Sequence, residues 1–224
     1  MPTVRVAAFN VHGFRAGPRA VAGALEPEAP DIVLLNEVGI LGLRLGRFAR
    51  LMGMAAASGL WRVRPVRNAV LVRRPWRLVG KHVERLPRHA GGVQRGLVLV
   101  LARRSGLRVT FGSVHLGLSR RERERHAREL TDLLAGVPHP LVVGGDLNEE
   151  PEGVVARWIG ERFWDAFQRA GEGPGSTFPA GEPRARIDYL FASEGVQVER
   201  AWVGQGAGPG SDHLPVFADL AVGG

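Results

Sequence analysis

Cysteine is absent from the 224 residues, Lys81 is the only lysine, and tyrosine occurs once. Without cysteine there is no disulfide, no thiol nucleophile and no thiolate metal site, so any catalytic or metal centre must be built from oxygen and imidazole groups. Long apolar runs are missing too. No stretch approaches the roughly 18 consecutive apolar residues of a membrane-spanning helix. The chain opens directly on a strand pattern, Val4 to Phe9, without the basic start and apolar core of a signal peptide, which makes the cytoplasm the expected compartment.

What is abundant is arginine. Lysine and arginine total 30 against 22 acidic residues, a net charge of +8. Such an excess arises from codon bias or a heat-adapted surface, or it serves a polyanionic partner, because arginine pairs bidentately with phosphate and speeds encounter. The 45% hydrophobic content is ample for a packed core. With no internal sequence repeat and no linker long enough to divide it, the chain reads as a single domain over residues 1–224.

Short β-like runs recur: Val4–Phe9, Asp31–Leu35, Asn68–Val72, Leu97–Leu101, Arg108–Val114, Leu141–Val143, Ile187–Phe191, Val198–Val203 and Val216–Leu220. Several are apolar at consecutive positions, which implies strands covered on both faces. Ser119 followed by Glu122 forms a capping box, predicting a helix to about Leu134 that stops at Gly136, with Leu130, Leu133 and Leu134 inward and Arg120–Arg128 solvated. Further helices are predicted over Leu43–Met54, after Pro151 and over Arg19–Leu25. Two Gly/Pro-rich loops, Gly171–Ser176 and Gly204–Gly210, precede candidate site segments and are either surface connections or substrate-facing loops.

Polar residues stand where these runs end. Asn10 closes the first; alone, an asparagine there is most simply a turn residue. Glu37 follows Ile32–Asn36, and a carboxylate after so apolar a run is partly buried and requires a partner, either an arginine or a cation. A hard cation such as Mg²⁺ takes oxygen ligands and often only one or two carboxylates. His115 ends Thr110–Val114. In Gly144-Gly145-Asp146-Leu147-Asn148 the carboxylate and amide alternate, so on extended backbone they point to one side, suited to holding and orienting a water; a turn capped by Asp146 is the simpler alternative. Asp188 is a charge in an apolar strand, and the nearest chemical match for it is His213, in Gly210-Ser211-Asp212-His213-Leu214-Pro215-Val216. A carboxylate bonded to imidazole fixes the tautomer and favours the protonated form, which could then stabilise a phosphoryl oxygen.

Taken in order, FNVHG from Phe9, LLNEV from Leu34, NAVLV from Asn68, the Gln94-Arg95-Gly96 strand entry, VHLGLS from Val114, GGDLNEEP from Gly144, TFP from Thr177, RIDYLF from Arg186 and GSDHLPVF from Gly210 resemble the endonuclease/exonuclease/phosphatase superfamily. Its members include DNase I-like nucleases, abasic-site endonucleases, inositol polyphosphate 5-phosphatases and sphingomyelinases. The resemblance spans essentially the whole chain. It implies an α/β (α+β) four-layered sandwich, two mainly antiparallel β-sheets packed face to face with helices outside, and an active site at one edge. It implies Glu37 as the main Mg²⁺ ligand (Mn²⁺ being an acceptable substitute), with Asn10 beside it and Asp212 near the metal. Asp146 would position or deprotonate the attacking water and Asn148 orient nucleophile or phosphate. Asp188 and His213 match the family's Asp–His pair, with His213 on the scissile phosphate. His115 matches a histidine of DNase I-like members, and Arg95 is a candidate phosphate contact with a surface ion pair as its alternative.

Three departures qualify the match. Abasic-site endonucleases usually carry a carboxylate where this chain has His12, and a lysine where Gly39 stands, which argues against that specialised activity. Asn36 replaces the usual glutamine before the metal glutamate, a change expected to alter hydrogen bonding only. The expected activity is Mg²⁺-dependent hydrolysis of a phosphodiester, with nucleic acid favoured by the positive charge and Trp61, Trp76 and Trp202 as candidate stacking residues. The alternatives are a phosphatase or phosphodiesterase for a small or lipid phosphate, of inositol phosphate or sphingomyelinase type, and a non-catalytic module that has kept the fold. The last conflicts with the presence of all five of Glu37, Asp146, Asn148, Asp188 and His213.

Overall fold

The computed structural model describes residues 1–60, 63–88, 91–204 and 210–223. Seven strands form the first sheet, in the spatial order β10 (Gly171–Glu172), β12 (Val196–Val203), β13 (Val216–Val222), β1 (Thr3–Asn10), β2 (Ile32–Asn36), β4 (Ala69–Arg73) and β3 (Met54–Ser58). Six form the second: β5 (Arg77–Arg85), β6 (Gly96–Arg104), β7 (Leu107–His115), β8 (Leu141–Asp146), β11 (Asp188–Ala192) and β9 (Trp164–Asp165). Pairing is antiparallel except between β1 and β2, β7 and β8, and β10 and β12. The expected sandwich of two mainly antiparallel sheets is thus the observed one.

Consecutive apolar residues in the strands are explained by burial on both faces. In β1, Val4, Val6 and Ala8 point into the space between the sheets, joining Ile32 and Leu34 of β2 and Val98, Val100, Phe111 and Val142 of the second sheet. The alternate residues Ala7, Phe9, Val33 and Leu35 pack outward against Val21, Leu25, Leu45 and Phe48 of helices α1 (Pro18–Leu25) and α2 (Leu43–Leu51). On the other side Leu99, Val114 and Val143 meet Ala127, Leu130, Val155 and Ile159 of α3 (Arg120–Ala135) and α4 (Val154–Gly160). A short α5 (Ala166–Ala170), capped by the Asp165 carboxylate at 3.0 Å from Phe167 N, completes the helices described.

The nine strands expected from sequence are the nine interior strands. The four not expected, β3, β5, β9 and β10, are the four sheet edges. Edge strands lack a neighbour on one side and need no continuous apolar run: β3 is mostly alanine, and β5 mixes charged residues with exposed Leu78 and Val79. Within the predicted loop Gly171–Ser176, two residues therefore add to the first sheet as β10.

Among the helices, α2 ends at Leu51 rather than Met54, because Gly53 turns the chain at φ +64° and Met54 already belongs to β3. Ser119 caps α3 as expected, accepting from Glu122 N at 3.3 Å. The first half of α3 is not wholly solvated, however. His126 and Ala127 share one buried face with Leu130 and Leu134, while Leu133 is only partly covered. Among the described residues no helix is long and apolar enough to cross a membrane.

Candidate active site

Both central parallel pairs end at the same edge. Asn10 pairs with Asn36 at the end of β1 and β2, and His115 with Asp146 at the end of β7 and β8. Four strand termini therefore converge there, and the two sheets are joined across the gap by polar side chains. Asn36 is fully buried; its Nδ2 donates to Val114 O at 2.9 Å and Ser113 Oγ at 3.1 Å, and its Oδ1 accepts from Asp146 N at 2.9 Å. Asn68 adds two bonds of 2.9 Å to Gly96 O and Ser113 O, and Ser113 Oγ donates to Leu35 O at 2.8 Å.

Asp146 is the hub. Its Oδ2 accepts from Asn10 Nδ2 at 3.0 Å and lies 3.2 Å from His115 Nε2, while Oδ1 accepts from Asn148 N at 2.8 Å. Asn148 does not share a side with Asp146 through strand alternation. The backbone turns at Asn148, φ +53°, around the Asp146 carboxylate, and this turn brings Asn148 Nδ2 to Leu116 O (3.1 Å) and His115 Nε2 (3.2 Å). Burial alone would raise the Asp146 carboxyl, but the facing His115 and His213 and the Asn148 amide more than offset it and hold it well below the usual carboxylate range.

His213 Nδ1 lies 2.8 Å from Asp188 Oδ2, and its Nε2 faces Asp146 Oδ2 across 3.9 Å. Burial disfavours the imidazolium, yet Asp188, then Asp146 and Asp212, outweigh it and the group is pushed up to about 9. Burial pushes the Asp188 carboxyl up, with the His213 charge opposing it. The loop presenting His213 is tied in from both sides: Ser211 Oγ donates to Asn10 O at 2.6 Å, Leu214 N to Thr177 O at 2.8 Å, and the Phe178 ring packs 4.9 Å from the imidazole. Of the expected Gly204–Gly210 loop, residues 205–209 lie outside the described residues.

Arg95 is not a surface ion pair: its side chain is only 10% exposed. Nη1 stands 2.8 Å from both ring nitrogens of His115 and 3.7 Å from Glu37 Oε1. Two donors, Arg95 Nη1 and Asn148 Nδ2, and one acceptor, the Asp146 carboxylate, thus meet at the His115 ring. Burial lowers the Arg95 pKa, with Glu37 and Asp146 opposing. Glu37 is partly buried in left-handed backbone, φ +56°, and no hydrogen bond engages its carboxylate among the described residues. Asp212 pairs with His12 at 3.1 Å, so the histidine standing where a carboxylate is usual meets a carboxylate from the other end of the chain.

All the site residues expected from sequence thus lie at one edge. Asn36, Asn68, Ser113, Thr177, Ser211 and His12 support them and were not assigned such roles, although Asn36 and Asn68 border apolar runs just as Asn10 does. Trp76 and Trp202 are not available for stacking: both are buried, Trp76 edge-on to Phe111 and Trp202 against Phe217. Trp61 lies outside the described residues.

Because Asn36 anchors the backbone of Asp146, Asn36→Leu is expected to leave the buried Asp146 N–H without an acceptor, at a cost of roughly 1–3 kcal/mol. It should lower kcat with little change in KM. Thermal unfolding and steady-state kinetics check this, and an unchanged kcat would show that Asn36 does not position Asp146.

A divalent cation is testable against these donors. Asp146, Asp188 and His213 bring donor atoms within 4.8 Å of one another. A metal would need His213 deprotonated, and that group holds its proton to about pH 9. Glu37 supplies a hard carboxylate oxygen that faces only Arg95, at 3.7 Å, among the described residues, and it follows the strand end where Asn10 pairs with Asn36.

The chain matches the family model described as Endonuclease/Exonuclease/phosphatase family over residues 7–213. No curated protein matches it by sequence. Among solved structures, the endonuclease/exonuclease/phosphatase from Bacteroides vulgatus aligns with a TM-score of 0.84 at 17% identity, covering 100% of both chains. That from Beutenbergia cavernae gives 0.78 at 26% identity, over 100% of this chain and 72% of the other. D. rerio TDP2, complexed with a single-strand DNA product, gives 0.78 at 16% identity, over 99% and 100%.

Proposed function

The chain belongs to the endonuclease/exonuclease/phosphatase family, whose members hydrolyse phosphoester bonds and generally use divalent metals, and from that premise we propose that it is a Mg²⁺-dependent phosphodiesterase acting on nucleic acid. The observation that carries this reading is the His213–Asp188 pair, set 3.9 Å across from Asp146 at the converging strand ends. Protonated His213 directs Nε2 toward the space above Asp146, where it can donate to a phosphoryl oxygen and stabilise charge as the ester is attacked. Asp146 is too stabilised as a carboxylate to be a strong proton acceptor. It acts chiefly by holding and orienting the water, with Asn148 beside it. Arg95 supplies a second fixed positive charge close to His115. Glu37 and Asn10 would hold Mg²⁺, with Asp212 nearby, and the bound ion would neutralise the phosphoryl oxygens. Mn²⁺ would serve in the same oxygen site.

Nucleic acid is supported by the net charge of +8 and by the likeness in fold to TDP2 with its DNA product. With Trp76 and Trp202 buried, grip would come through phosphates, and binding should fall steeply with salt. The test is conversion of supercoiled plasmid with Mg²⁺ beside an EDTA control. Nicking that EDTA abolishes is expected, and Glu37→Gln should raise the Mg²⁺ concentration for half-maximal rate at least about tenfold. A second reading, a lipid phosphoester, is favoured by exposed aliphatic residues around the site. Intact plasmid together with cleavage of lipid or small phosphoesters would select it.

A further inference from the structure

Ten large apolar side chains are exposed among the described residues, and six of them, Ile40, Leu41, Leu43, Val63, Val93 and Leu118, stand on connections at the active-site edge. The connection after β2 and the first residue of α2 carry the first three, at 56%, 84% and 79% exposure. Val63 precedes β4, whose Ala69 pairs with Leu35 at the end of β2; Val93 precedes β6, whose Gly96 pairs with His115; Leu118, 72% exposed, follows β7. The other four, Met1, Leu51, Leu78 and Val79, lie at the opposite strand ends or on edge strand β5. Among the described residues, the exposed large apolar side chains of the rim thus lie on one flank of the site.

The connections of this flank that reach the site edge are free of aspartate and glutamate over 38–42 and 63–68, and they carry Arg64 and Arg67, with Arg44 in the first turn of α2. The connections at 86–95 and 116–119 also lack acidic residues, and the first adds Arg88 and Arg95. A cavity of about 450 Å³ opens beside Gly13, with Ile40, Leu41 and Leu43 in its wall next to Arg44 and Arg67. Apolar and cationic groups are interleaved, not segregated.

We propose that this flank docks on the surface of an anionic phospholipid bilayer, presenting the strand-end site to phosphoesters held there. Exposed aliphatic side chains interleaved with arginines suit insertion at the headgroup boundary, where the apolar part enters the acyl region and the cations meet lipid phosphates. Nucleic acid would use the arginines but offers little to exposed leucine, isoleucine and valine, and Trp76 and Trp202 are buried in the core. An apolar patch that remains exposed in a folded chain marks a contact surface. The inference deepens the lipid reading of the site and rests on the hydrolase assignment.

Binding is measured apart from turnover. Asp146→Asn protein is sedimented with vesicles of phosphatidylcholine alone and of phosphatidylcholine mixed with phosphatidylglycerol, beside a DNA-binding assay. Retention on the anionic vesicles only, weakened by salt, is expected. Combined Leu41→Ser and Leu43→Ser should lower it at least about tenfold, with Leu118→Ser on a separate connection lowering it further. These positions are highly exposed, so unchanged thermal unfolding verifies the fold. Absence of vesicle binding, or binding indifferent to the leucine substitutions, overturns the proposal. Loss of DNA affinity in the double variant without vesicle binding overturns it in favour of a nucleic-acid face. Any of these results leaves the hydrolase assignment to be decided by turnover of the unsubstituted enzyme.

Discussion

His213→Ala is expected to lower turnover by at least about two decades while the protein stays folded, since loss of one donor to developing oxyanion charge costs roughly a hundred- to a thousand-fold, and Asp146→Ala to do the same by removing the group that holds the water. Both groups sit at the meeting point of four strand ends, but they fail differently. His213 works as a charged donor, so the rate follows its protonated fraction. With the group raised to about 9, that fraction is near complete at neutral pH and falls as pH rises past about 9. Asp188→Asn removes the main source of the increase, and the descending limb should then move down toward the ordinary histidine range near ~6.5. Asp146 is held below the carboxylate range, so it contributes no acidic limb at ordinary assay pH. The measurement is kcat/KM against pH for the wild type and Asp188→Asn. Retained activity in His213→Ala, or a limb that does not move in Asp188→Asn, would remove the mechanism while leaving the family assignment intact.

Gly145→Ala is expected to be the most damaging small substitution. Gly145 lies at φ +139°, and a Cβ there would stand 2.1 Å from Val114 O and 2.6 Å from Asn36 Oδ1. Neither atom can retreat easily. Val114 O belongs to β7 and accepts from Asn36, and Asn36 Oδ1 accepts from Asp146 N. The methyl must therefore part β7 from β8 or dislodge the inter-sheet anchor, a cost of about 3 kcal/mol or more. For a chain of this length that corresponds to a fall in Tm of roughly 6–12 °C. Gly39→Ala is the control: φ is +80°, but nothing lies within 4 Å of the added carbon, so only the backbone penalty of about 1 kcal/mol applies. Calorimetry of the two variants separates them, and equal melting temperatures would mean that the close approach at Gly145 is not what holds the site edge.

Gly145 was legible as a residue that lets backbones approach closely, but what approaches it was not. The same holds elsewhere in the site. Asp188 and His213 could be paired from chemistry alone, because a buried carboxylate needs a partner and the imidazole was the nearest match. Alternation along an extended strand predicts Asn148 on the side of Asp146, but its position follows from a turn around the Asp146 carboxylate. The residue type at Asn36 predicts only a change of hydrogen bonding, whereas its side chain anchors the backbone of Asp146, 110 residues away. Arg95 could equally have been a surface pair, and only packing against β7 puts it between Glu37 and His115.

The amino-acid sequence by itself determined the interior of both sheets, since a strand covered on two faces must be apolar at successive positions and that demand is local. It also determined which chemical groups stand at the strand ends. The tertiary structure alone decided the sheet edges, where one open side relaxes the demand for apolar residues and the pattern fades. It alone decided the partners as well. Asn10 meets Asp146 across 136 residues of chain and Ser211 meets Asn10 across 201, contacts set by strand order and register rather than by any local periodicity.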